Sequence, residues 1–164
     1  MARRLESVQE SVGGLETARV LFHEDVQNRN GVTREEAEQV LAVLDQLIAW
    51  NPPRLVHMPH NPKLAQKQQV LKFGLTPTGP VFWSAHPGPV YGAKLVVLPQ
   101  IDESLVPVRE AVRACFQEID RGKWAKAHPY EDAATIEFRY LRFPRDFDRV
   151  VKVLGEALDA IPAS

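Results

Sequence analysis

The chain reads as an α+β protein, with an N-terminal helical hairpin followed by a mostly antiparallel sheet in βββαβα order flanked by helices. Three observations predict this class. Apolar residues before position 50 recur at helical spacing. Three stretches between 69 and 98 have strand length and are separated by turn residues. After 104, two helical stripes bracket one alternating segment.

Residues 15–27 place Leu15, Ala18, Phe22 and Val26 on one helical face. Asn28 to Gly31 is a turn signal, and Gly13-Gly14 breaks any helix before it. Thr33 followed by Glu36 fits a capping box, in which each side chain satisfies a backbone donor at the helix start. The helix that follows carries Ala37, Val40, Leu41, Leu44, Leu47 and Ile48 and stops before Pro52-Pro53. Two helices joined by a short turn make an αα-hairpin over 15–50.

Residues 51–68 form a proline-rich basic connector, with four prolines between 51 and 62. Neither a regular helix nor a central strand suits such a segment. Strands are expected at 69–75, 80–86 and 93–98. The last two contain the consecutive apolar runs Val81-Phe82-Trp83 and Leu95 to Leu98, which predict that both faces of the sheet are covered. Residues 104–119 align Leu105, Val108, Val112, Cys115, Phe116 and Ile119 on a helical stripe, placing Cys115 in the core. Residues 134–143 alternate and read as a strand of undetermined direction. The final helix covers about 146–160, with Asp146 as its expected N-cap. The whole chain, 1–164, is expected to form a single domain.

The net charge of −1 conceals a separation of sign. No Asp or Glu occurs from 46 to 101, and that window carries Arg54, Lys63, Lys67, Lys72 and Lys94. Core strands account for part of this gap, because carboxylates are costly to bury. The connector from Arg54 to Lys72 is polar and still purely cationic. A second basic and aromatic segment, expected to be a loop, contains Arg121, Lys123, Trp124, Lys126 and Tyr130. Cations attract phosphates or carboxylates, and exposed rings stack on bases. These two segments point to a non-enzymatic binding or regulatory domain, its partner a nucleic acid or an acidic protein surface. A plainer reading is self-pairing with the acidic N-terminal third.

His57 and His60 have the spacing of a metal pair, which His86 or a distant acid would have to complete, and the three histidines, as acid–base or metal groups, suggest a small enzyme or metal-binding protein as the alternative. Flanking prolines oppose helical geometry there, and the plainer role is that of loop histidines. A structural subunit with an oligomeric seam is the third class. No nucleophile elbow, phosphate-binding glycine loop or paired zinc cysteine motif is present, and no cofactor is expected. The single Cys115 excludes an internal disulfide framework. The lone cysteine makes a reducing cytoplasm the expected location, and the N-terminus has no apolar stretch of the secretory kind and no run is long enough to span a bilayer.

Overall fold

The computed structural model describes residues 15–27, 33–59, 70–87, 92–142 and 144–162. The expected turn at 28–31, the break at 13–14 and the tip of the loop at 88–91 lie outside them. The elements in chain order are α1 (Leu15–Gln27), α2 (Arg34–Ala49), β1 (Val56–His57), β2 (Leu71–Gly74), β3 (Val81–His86), β4 (Lys94–Val97), a 3-10 turn (Glu103–Leu105), α3 (Val106–Asp120), α4 (Lys123–Ala127), β5 (Ala134–Glu137), a second 3-10 turn (Phe138–Tyr140) and α5 (Arg145–Ala160). The protein is α+β, with a helical pair preceding a five-stranded sheet.

The sheet is an antiparallel meander in the order β1-β2-β3-β4-β5. Its last strand, β5, lies antiparallel to β4, which settles its direction. The connector contributes a strand that the prolines hid. Val56–His57 pairs with Gly74 and Phe73 at the sheet edge, where proline neighbours are tolerated because one side of the strand needs no ladder bonds. The register shifts between Phe73 and Gly74.

Helix α2 begins at the expected Thr33 cap, with one half of the capping box formed. The Thr33 hydroxyl accepts the Glu36 N–H at 3.1 Å, and the helix ends at Ala49, before Pro52 and Pro53. Pro107 sits in the first turn of α3, where its missing N–H costs nothing. Arg121 and Gly122 then take left-handed conformations and end that helix. Helix α5 corrects the expected cap. Pro144 occupies the N-cap position, and Asp146 lies inside the first turn. From there its carboxylate accepts the Arg142 N–H at 2.9 Å, satisfying a donor just ahead of the helix.

Register sorts the strand residues into two faces, because opposed residues in an antiparallel pair point the same way. Leu71, Phe73, Trp83, Ala85, Leu95, Val97, Ala134 and Ile136 share one face. All are buried, in one cluster with Phe22, Leu44, Leu47, Phe116 and Leu154 from the helices. Trp83 and Phe73 stack at 4.5 Å between ring centres.

The opposite face is also largely covered, as expected, with Ser84, Val96, Thr135 and Glu137 buried, but most of its side chains are polar. It carries Lys72, Ser84, His86, Lys94, Val96, Thr135 and Glu137. Among the described buried apolar residues, only Val96 and Trp124 stand outside the main cluster. The consecutive apolar run in β4 therefore overstated how much of this face is greasy.

The strand expected over 134–143 ends at Glu137. The Phe138 N–H still bonds the Ala93 carbonyl at 2.9 Å. Gly92, with φ of 70°, then turns the neighbouring chain away and leaves no ladder to extend.

The polar sheet face as a candidate anion site

The polar face is built by the register. Lys72 on β2 lies opposite Ser84, and His86 at the end of β3 lies opposite Lys94 on β4. Lys94 in turn faces Glu137 on β5. Lys72 and His86 are thus diagonal neighbours, within reach of a long side chain.

Ser84 is 3% exposed, and its hydroxyl is hydrogen-bonded to His86 Nε2 at 2.9 Å. That contact satisfies a hydroxyl that would be costly to bury alone. It does not make a nucleophile. The hydroxyl is closed off from a substrate, and among the described residues no carboxylate is hydrogen-bonded to His86 to orient it. Burial holds the imidazole neutral, and the charges of Lys94 and Lys72 reinforce this against the opposing Glu131, bringing its pKa down to about 4.

The ammonium of Lys94 sits 5.0 Å from the centre of the Trp124 ring. Trp124 is fixed from several sides. Its indole N–H donates to Glu131 at 2.7 Å, and the same carboxylate accepts the Thr135 hydroxyl at 2.7 Å. Its ring stacks on His128 at 3.8 Å. Its backbone N–H donates to Asp120, which also accepts the Gly122 N–H. Glu137 is engaged by Arg139 at 2.9 Å. The carboxylates of this region therefore have partners of their own. Lys72 and Lys94 are half-buried, and neither has a carboxylate or hydrogen-bond acceptor among the described residues.

The residues singled out from sequence fall in several places. Arg54 is a structural donor, giving hydrogen bonds to the Leu158 and Ile161 carbonyls at the end of α5. Lys63, Lys67 and His60 lie outside the described residues. The segment expected to be a basic-aromatic loop contains helix α4, because Asp120 and Gly122 start a new turn. Trp124 is consequently buried, with 7% exposure, and offers no ring for stacking on a base. Arg121, Lys123 and Lys126 are exposed, and Tyr130 is 95% exposed. Lys123 lies over the Tyr140 ring at 4.9 Å, as does Arg139.

His57 and His86 project from opposite faces of the sheet, since His57 pairs with Phe73 on the core side and packs on its ring. They cannot share an ion. Among the described residues no group of His, Cys, Asp and Glu is arranged to hold a metal. Cys115 is half-buried rather than fully enclosed, and burial pushes its thiol pKa up, which disfavours the reactive thiolate.

Sequence reasoning passed over Ser84 and Lys94 as site residues, and gave His86 only an acid–base or metal role. The available signal was Lys94 and His86 bracketing one short hairpin. A second concavity, of about 330 Å³, is lined by Leu75, Phe82, Leu98, Ile101, Leu105 and Ile161 with Asp102 beside them. No cation lines it. No described helix is long and apolar enough to cross a membrane. No family model, curated protein or solved structure matches the chain.

Proposed function

We propose that this protein is a non-enzymatic binding module whose polar sheet face receives a compact anionic group, a phosphate or carboxylate carried by a ligand. One observation carries the reading. Lys72 and Lys94 are half-buried cations without acceptors among the described residues, and they flank a neutral imidazole and a hydroxyl. An anion seated between two neighbouring cations would gain charge-assisted contacts from both.

Trp124 supports the arrangement by holding the Lys94 ammonium over its ring, which limits the side-chain entropy lost on binding. The exposed Arg121, Lys123 and Lys126 would add long-range attraction. Burial of Trp124 favours a charged group over a stacked base as the ligand.

The test is an equilibrium titration with inorganic phosphate at low ionic strength. Saturable binding that weakens with added salt is expected. Lys72→Gln and Lys94→Gln should each weaken it by about tenfold, as loss of one charge-assisted contact implies. Equal binding by wild type and both variants would contradict the proposal.

A further inference from the structure

We propose that anion binding at this face is coupled to uptake of one proton by His86. The inference deepens the anion-binding reading and rests on it. The geometry places the imidazole between the two lysine-bearing strands, opposite Lys94 and diagonal to Lys72. The charged groups that bear on it are Lys72 from β2, Lys94 from β4 and Glu131 from the segment between α4 and β5. Glu137 on β5 stands one strand further, opposite Lys94, and is paired with Arg139.

Without an anion, burial disfavours the charged ring and both lysines repel a proton on it, which brings the pKa of His86 down to about 4. A dianion seated between the lysines reverses the local field. It cancels their repulsion and offers an acceptor for a second imidazole N–H. The protonated ring then becomes a third donor to the ligand. Ser84 can remain hydrogen-bonded throughout, because its hydroxyl can act as donor to the neutral ring or acceptor from the charged one. By linkage, a ligand that raises the affinity of His86 for a proton binds more tightly as pH falls.

Sulfate is the suitable probe, because it stays a dianion throughout the working pH range and brings no titration of its own. Its affinity should be measured from about pH 8 to about pH 5 on wild type and on His86→Gln, which keeps a polar side chain beside Ser84. Wild type should tighten by about tenfold or more over that range, and the variant should tighten far less. Calorimetry in buffers of different ionisation enthalpy should show net proton uptake by wild type on binding. Nuclear magnetic resonance titration of the His86 ring with and without sulfate provides the same test with no variant, and its pKa should rise when sulfate is bound. Sulfate binding that tightens equally in both proteins, or with an unmoved His86 titration, would overturn the coupling while leaving the anion site standing. Absence of sulfate binding to wild type at every pH would overturn both.

Discussion

His86 Nε2 and the Ser84 hydroxyl lie 2.9 Å apart on one face of β3, two residues from each other along the strand. The pair is the neutral centre of a face whose nearest cations, Lys72 and Lys94, come from the strands on either side. Because burial and those cations bring the His86 pKa down to about 4 from 6.5, the folded state resists protonation that the unfolded chain accepts. The stabilisation is fully present above about pH 6.5 and is lost as pH falls toward 4. At most about 3 kcal/mol is at stake, less whatever solvent screens at this partly exposed ring. Urea unfolding across that range should show a steeper loss in wild type than in His86→Gln.

Thr33 begins α2 by accepting the Glu36 N–H at 3.1 Å. Thr33→Ala removes that acceptor and should cost about 1 kcal/mol, whereas Thr33→Ser should cost much less. Denaturant midpoints of the two variants check the difference.

Arg54 ties the connector to the end of α5 through the Leu158 and Ile161 carbonyls. Arg54→Met keeps the aliphatic stem and removes the donors. A loss of about 1–3 kcal/mol is expected. Amide hydrogen exchange should accelerate in the last turn of α5 while the sheet amides remain protected.

Gly74 lies where β2 shifts register, and an added Cβ would stand 2.6 Å from the Pro80 carbonyl oxygen and 2.8 Å from Met58 Sδ. Gly74→Ala should destabilise by about 1–3 kcal/mol through overpacking. Trimming Met58 to Ala in the same chain should restore little, because the backbone oxygen of Pro80 cannot withdraw as a flexible side chain can. Full rescue in the double variant would contradict this.

What could be read in advance was local. The Thr33–Glu36 cap needs three residues of separation, and the α2 stripe repeats within one helix, so both show in the chain itself. The polar face depends on register between distant strands. Nothing near Lys72 announces Ser84 twelve residues on, and the apolar neighbours of His86 disguise the side it faces. Trp124 misled for a related reason. Its cationic neighbours suggested exposure, but Glu131, itself held by the Thr135 hydroxyl, accepts the indole N–H and draws the ring inward. Arg54 looked like a free cation because its acceptors lie more than a hundred residues away. The acid-free window from 46 to 101 thus mixes core strands, one structural arginine, the half-buried Lys72 and Lys94, and two lysines outside the described residues.

Lys72, His86 and Lys94 are proposed to act together on one anion. The most direct test is nuclear magnetic resonance mapping during a sulfate titration of the wild-type protein at low ionic strength. Saturable shifts are expected at the side chains of Lys72, His86 and Lys94 that fit one dissociation constant, with His57 on the opposite face unmoved. Shifts confined to the exposed Lys123 and Lys126, or spread evenly over all surface lysines without saturation, would contradict the proposal.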